Sequence, residues 1–303
     1  MEGIAMELLR FIESIRTPFL DTLIGLITRL GEETIGIVLL CLIFWCVSKK
    51  IAYVIGVAFF LSSLTVQGMK ICFRIERPWV IDPTFEPVPG AKEYATGYSF
   101  PSGHTQSATA FYGALGSQVK PMAFKIILFA IPVLVAFSRL YLGVHTLQDV
   151  LVSLVITFLL IWLTGRIITS DVESKKKELA ISLFMILYAV AVIIIAIIMY
   201  SNGTIEDRYI ADCLKAAGAG IGFAVGMFVE RNYIKFSVKS KNIGMHIIKV
   251  VIGIAGVLAF QEGLKLIIGT GFIVDMFRYF LMISWVTMLY PLIIKRCFSV
   301  KEA

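Results

Sequence analysis

LAISLFMILYAVAVIIIAIIMY, residues 179–200, contains no Lys, Arg, Asp or Glu. A helix needs roughly 18–20 such residues to cross the hydrocarbon core of a bilayer. A helix packed on a soluble core keeps one polar face, and this run has none. Similar runs recur along the 303-residue chain, of which 58% is hydrophobic. The expected spans are residues 33–47, 50–73, 103–118, 122–141, 146–168, 179–200, 211–229, 245–268 and 273–294, nine in all. The fold class is therefore all-α, a polytopic helical membrane protein.

Working outward from these runs, residues 3–16 read as an amphipathic helix lying in the interface, with Leu8, Leu9, Phe11, Ile12 and Ile15 supplying apolar contact. This stretch lacks the charged, apolar, small-residue order of a cleavable signal peptide. Residues 18–31 are too short and too polar for a span. Three segments result: 1–31, an N-terminal interfacial helical segment; 32–170, a membrane core; and 171–303, an extension of about four more transmembrane helices. The second boundary falls in the charged loop TSDVESKKK near residues 170–178. In AAGAGIGFAVGM, residues 216–227, Gly218, Gly222 and Gly226 fall four apart, a spacing that lets another helix approach closely.

The net charge of +7 does not call for nucleic acid. Basic residues of a membrane protein serve first as topology signals and contacts to membrane lipids. Lys49, Lys50, Lys120, Lys125, Arg166, Lys175, Lys176, Lys177, Arg231, Lys235, Lys239, Lys241, Lys295, Arg296 and Lys301 fall on one set of loop ends, which is then cytoplasmic. Arg10, Arg16 and Arg29 stand against that trend. The five cysteines show neither a disulfide framework nor metal-ligand spacing.

Three polar clusters interrupt the apolar pattern. KICFRIERP holds Lys70, Arg77 and Pro78; Pro101, Ser102, Gly103 and His104 are consecutive; SRLYLGVHTLQD holds Ser138, Arg139, His145 and Asp149. With helices alternating in direction, these positions meet at one membrane face. Three cations and two histidines at one depth are costly without a ligand and mark a functional site. An anion with several oxygens, phosphate above all, suits two guanidinium forks and a lysine. Pro101, Ser102 and Gly103 open a helix whose free N–H groups also favour an anion. His145 and Asp149, four apart, share a helix face. The carboxylate can hold one imidazole nitrogen protonated and leave the other as nucleophile, while His104 acts as acid and base. No carboxylate cluster is present to hold a metal, and no cofactor is implied.

The pattern K-x6-RP, PSGH and SR-x5-H-x3-D resembles the signature of the type 2 phosphatidic acid phosphatase (PAP2) superfamily, which also contains vanadium haloperoxidases. The resemblance spans about residues 30–168. It implies a PAP2-type helical-bundle core and a phosphohistidine mechanism. It assigns Lys70, Arg77, Ser102, Gly103 and Arg139 to phosphate, His104 to acid/base work, His145 to nucleophilic attack and Asp149 to orienting it. The substrate implied is a lipid phosphate or diphosphate: undecaprenyl diphosphate, phosphatidate, phosphatidylglycerophosphate or a sphingoid-like phosphate. The expected place is a bacterial plasma membrane with the site on the extracytoplasmic side.

Blander readings stand beside these. His246, near Lys239 and Lys241, reads as an interface residue, Arg74 and Glu76 as surface groups, and Asn202-Gly203-Thr204 as a turn. Glu262 and Lys265 read as an ion pair, or with Asp275 and Arg278 as a polar cavity. Two other functions use the same residues differently: a lipid phosphotransferase, or a transporter or scaffold whose second half is the working part. Oligomeric state has no signal in the sequence.

Overall fold

A computed structural model describes residues 2–93, 95–168 and 174–298. The first part of the charged loop near 170–178, the boundary at 170/171 and Lys301 lie outside the described residues. Among the described residues every regular element is helical, as an all-α membrane protein requires. The elements are α1 (Glu2–Ser14), α2 (Pro18–Arg29), α3 (Glu33–Leu42), α4 (Lys49–Phe73), α5 (Pro78–Ile81), α6 (Gly103–Ala108), α7 (Ala114–Gln118), α8 (Met122–Tyr141) and α9 (Leu147–Ile168). They continue with α10 (Lys175–Ser201), α11 (Asp207–Val229), α12 (Ile243–Leu258), α13 (Leu264–Ile268), α14 (Phe272–Ser284) and α15 (Tyr290–Cys297). π-Helical turns extend α3 and α11 and join α6 to α7, α12 to α13 and α14 to α15.

Among the described residues, seven helices are long and apolar enough to cross a membrane. The pair Pro18–Arg29 and Glu33–Val47, bent by 45°, adds an eighth if counted as one span. Against the nine expected, the stretch 103–118 is a run of α6, a π-helical turn and α7, ~24 Å long at 1.5 Å per residue and so shorter than a ~30 Å hydrocarbon core, that leads from the His104 end to the far end of α8. Residues 105–114 are buried inside the protein. Small residues make that possible: a Cβ on Gly113 would stand 3.0 Å from the Phe158 ring, and one on Gly36 would overlap Phe111. Four spans follow residue 171, the expected extension.

The chain forms two compact units, one of Met1–Ile37 with Thr65–Gly165 and the other of Val38–Leu64 with Arg166–Ala303. In the first, α1 packs one side of its apolar face on the protein. Leu9 and Ile12 are buried in a cluster with Phe85, Val88, Leu140 and Val144, while Phe11 and Ile15 stay exposed. Polar bonds fasten the same segment. Arg10 pairs with Asp82 at 2.7 Å, and Arg16 donates to the carbonyls of Glu86 (2.6 Å) and Tyr141 (3.1 Å). The Tyr141 hydroxyl donates to Asp21 at 2.8 Å. Phe85 lies between the Arg10 and Arg16 guanidinium groups, 5.3 and 5.4 Å from its ring centre, a cation–π arrangement. The turn from α8 to α9 needs Gly143, whose φ is +73° and whose Cβ would sit 2.7 Å from Arg16 Nη2.

In the second unit, α11 packs on α14 through the glycine stripe. A Cβ on Gly218 would overlap the Met276 carbonyl, one on Gly222 would reach the Phe280 carbonyl at 2.6 Å, and one on Gly226 would overlap Thr287. Gly218→Val is therefore expected to part the two helices, at about 1–3 kcal/mol of overpacking. The thermal midpoint of the detergent-purified chain should fall, and an unchanged midpoint would contradict this packing. Several buried polar groups in this unit are paired within it. Glu230, fully buried, accepts from Lys49 at 2.9 Å, from the Phe236 amide at 3.2 Å and from the Tyr53 hydroxyl. Lys249, also fully buried, donates to the carbonyls of Trp45 and Val238 at 3.0 and 2.9 Å. Asp275 pairs with Arg278 at 2.9 Å; Glu262 and Lys265 are exposed, and no ion pair joins them, contrary to expectation.

Candidate active site

All eight residues singled out in the sequence lie in the first unit. Lys70 is in the last turn of α4, Arg77 directly precedes α5, and Ser102 caps α6, of which Gly103 and His104 are the first residues. Arg139 ends α8, His145 sits in the turn after it, and Asp149 is in the first turn of α9.

Local bonds hold these pieces together. The Ser102 amide donates to the Asp149 carbonyl at 3.1 Å, and the Ser153 hydroxyl donates to the Ser102 carbonyl at 2.8 Å, so the start of α6 is stapled to α9. The Ser102 hydroxyl accepts from the Thr105 hydroxyl at 3.0 Å and from its amide at 3.5 Å, a capping arrangement. Gly103 and His104, as first residues of a helix, have amide groups with no intrahelical carbonyl to reach.

Arg77 is buried and is held by three carbonyls: Nε donates to Gly97 at 2.9 Å, Nη2 to Thr96 at 2.7 Å and Nη1 to Val144 at 2.8 Å. Nη1 also lies 3.0 Å from His145 Nε2. A guanidinium only donates, so Nε2 presents its lone pair and the proton sits on Nδ1. On the other side of the ring, Asp149 Oδ2 lies 3.3 Å from Nδ1. The same oxygen accepts from the Ser99 hydroxyl at 2.5 Å and from the Thr146 amide at 2.7 Å. The carboxylate is thus fixed by groups outside the ring it orients, and the tautomer follows from both neighbours.

His145 is almost wholly buried, and its pKa is held well below the ordinary value, first by burial and then by the charges of Arg77, Arg139, Lys70 and His104. The imidazole is therefore neutral near pH 7. That these four groups act on one ring places the three sequence clusters in one locus. Lys70 donates to the Tyr98 carbonyl at 2.6 Å, and Arg139, 3% exposed, donates from Nη1 to the Thr28 hydroxyl at 2.7 Å. His104 and Arg139 line a cavity of ≈530 Å³ whose other walls include Asp21, Thr28, Arg29 and Glu32 of the α2 region, Val88–Ala91, and Leu142. Among the described residues no group of three His, Cys, Asp or Glu has the geometry to hold a metal ion.

Ser99, Thr146 and Thr28 escaped the sequence reading. Ser99 lies just before PSGH and Thr146 just after His145, so nearness to a motif was the available signal for both. Nothing in the sequence ties Thr28 to Arg139, 111 residues away.

The fold and this locus define a class: a polytopic helical membrane protein in which Arg77 lies against one imidazole, His145, and Arg139 shares a cavity with the other, His104. The chain belongs to the PAP2 superfamily. Residues 51–173 match the PAP2 superfamily, and residues 214–302 match the PAP2 superfamily phosphatase, transmembrane extension. Phosphatidylglycerophosphatase B of Bacillus subtilis (strain 168) is 30% identical over 170 residues, covering 49% of this chain and 75% of that protein. Sphingosine-1-phosphate phosphatase 2 of Mus musculus is 27% identical over 213 residues, covering 66% of this chain; the match spans only 56% of the mouse protein. The crystal structure of Aquifex aeolicus LpxE is 27% identical, with a TM-score of 0.49 over 54% of this chain and 95% of that one.

Proposed function

We propose that this chain is an integral membrane phosphatase that hydrolyses a lipid phosphate or diphosphate through a phosphohistidine intermediate. The observation that carries the reading is the state of His145: Arg77 Nη1 at 3.0 Å from Nε2 and Asp149 Oδ2 at 3.3 Å from Nδ1 leave the lone pair on the nitrogen nearest a phosphate-binding cation. When phosphate occupies the pocket, the Nη1 donor turns to a phosphate oxygen and Nε2 is free.

In the first step the Nε2 lone pair attacks phosphorus, and the bond from phosphorus to the lipid oxygen breaks. His104, whose pKa is pushed down to about 3 by burial and by the charges of Arg139, Arg77 and Lys70, takes up a proton as the phosphate anion offsets those charges, and gives it to that oxygen. In the second step water attacks phosphorus, His104 takes the water proton, and the P–N bond breaks to release inorganic phosphate. Lys70, Arg77, Arg139 and the amides of Gly103 and His104 spread the charge on the non-transferring oxygens, and Ser102 holds the loop that presents those amides.

The relatives' names, a phosphatidylglycerophosphatase and a sphingosine-1-phosphate phosphatase, support a lipid phosphate as substrate. Residues 32–170 are read as the catalytic core, 1–31 as the N-terminal segment and 171–303 as the extension. The excess of Lys and Arg on the opposite loops supports a site on the extracytoplasmic face of a cell membrane. The detergent-purified chain is expected to release inorganic phosphate from at least one of phosphatidate, phosphatidylglycerophosphate, sphingosine 1-phosphate and undecaprenyl diphosphate, with turnover unchanged by a divalent-metal chelator. Release from none of them, or only after a divalent cation is added, would overturn the reading.

A further inference from the structure

We propose that the end of α2 is part of the phosphate-handling apparatus, with Thr28 as a positioning residue that sets the guanidinium of Arg139. This rests on the reading of Arg139 as a phosphate ligand. The two arginines of the pocket are held in different ways. Arg77 is tied to three backbone carbonyls. Arg139, equally buried, has one recorded hydrogen bond among the described residues, from Nη1 to Thr28 Oγ1 at 2.7 Å. Its Nε is buried with no partner.

A long side chain with a single tether recovers rotamer freedom when that tether is cut. The tether is also a neutral hydroxyl. A carboxylate there would hold the guanidinium more tightly but would offset the positive charge that a phosphoryl group needs. Thr28 thus fixes direction while leaving the charge available.

A second contact brings the same tip to the other side of the pocket. Gly31, just beyond the end of α2, packs on the backbone of His104: a Cβ there would stand 2.8 Å from the His104 carbonyl oxygen and 3.0 Å from its Cβ. Thr28 and Gly31 therefore touch Arg139 and His104 from one short stretch. Thr28 lines the same ≈530 Å³ cavity as those two residues. The stretch lies before residue 51, where the match to the PAP2 superfamily begins, so this support comes from outside the shared domain.

The test uses the full chain in detergent and compares wild type, Thr28→Val, Thr28→Ser, Arg139→Ala and the Thr28→Val/Arg139→Ala double variant. Two quantities are read: kcat/KM for phosphate release, and the affinity for inorganic phosphate from the ligand-induced rise in thermal midpoint. Loss of a hydrogen bond to a charged group should lower kcat/KM and weaken phosphate binding about tenfold in Thr28→Val. Thr28→Ser, which keeps the hydroxyl, should stay within about twofold of wild type on both. In the Arg139→Ala background Thr28→Val should add nothing, because the group it positions is gone. Thr28→Val matching wild type, or lowering Arg139→Ala by the same factor as it lowers wild type, would overturn the proposal. If wild type hydrolyses none of the lipids, the phosphatase reading fails, and the phosphate-affinity comparison still decides the role of Thr28.

Discussion

His145→Ala is expected to lower phosphate release by roughly 10⁴–10⁶-fold, the scale on which removal of a covalent nucleophile acts. The reason is specific to this ring. Its Nε2 carries the lone pair because Arg77 can only donate to it, and burial among Arg77, Arg139, Lys70 and His104 keeps it neutral. No other described imidazole has a carboxylate on one nitrogen and a guanidinium on the other. Rapid quench of wild type in alkaline SDS with radiolabelled substrate should trap an acid-labile, base-stable phosphoryl-enzyme, which His145→Ala should lack. Turnover retained within tenfold of wild type would remove His145 from the nucleophile's role. The lowered pKa has a further consequence with a definite sign. The free base persists as pH falls from 7 through 6.5, so the acid limb that reports this nucleophile must lie below 6.5, the ordinary value for the group. Below 6.5, down to the lowered pKa of the folded ring, the unfolded chain binds the proton that the folded chain refuses. His145 therefore subtracts stability as pH drops below 6.5.

Asp149→Asn should cost about 10⁴-fold in kcat, the scale seen when the carboxylate orienting a histidine becomes an amide. Asp149 Oδ2 accepts from the Ser99 hydroxyl at 2.5 Å, from the Thr146 amide at 2.7 Å and from the His145 Nδ1–H. An asparagine with its oxygen at that position keeps these bonds but not the negative charge, and one with its NH₂ there can meet Nδ1 only as the unprotonated nitrogen. That second choice moves the imidazole proton to Nε2, the atom that must attack. The effect should fall on kcat with KM for the lipid changed little, since Asp149 touches the imidazole and not the phosphate. A loss confined to KM would show that Asp149 acts in binding instead. The magnitude should be smaller than for His145→Ala, because some rings will still present the productive tautomer.

The parts of this site visible in the sequence are those whose chemistry is local. Lys70 and Arg77, the PSGH stretch, and Arg139 with His145 and Asp149 announce themselves because charged and small polar residues interrupt long apolar runs. Their spacing from helix ends is enough to bring them to one face. Ser99 and Thr146 were hidden because serine and threonine are ordinary in loops, and only the carboxylate they converge on gives them a role. The surroundings of the helix that starts at PSGH were hidden too. Residues 103–118 read as a membrane span, and Ala108, Ala110 and Ala114 are small enough to be enclosed by protein, an environment that hydropathy does not separate from lipid. The N-terminal helix shows the same limit: Leu9 and Ile12 are buried while Phe11 and Ile15 of the same amphipathic helix are exposed, and periodicity cannot say which apolar positions meet another part of the chain.

The residues themselves determined the membrane class, the all-α architecture, a face for close helix approach at Gly218, Gly222 and Gly226, and the identity of the eight polar groups, because each depends on composition or on spacing within one helix or turn. The tertiary structure decided which nitrogen of His145 is free, how Asp149 is held, and that Thr28 from the first helices reaches Arg139. Those outcomes depend on donor and acceptor directions between segments far apart in the chain, and one-dimensional spacing carries no information about direction.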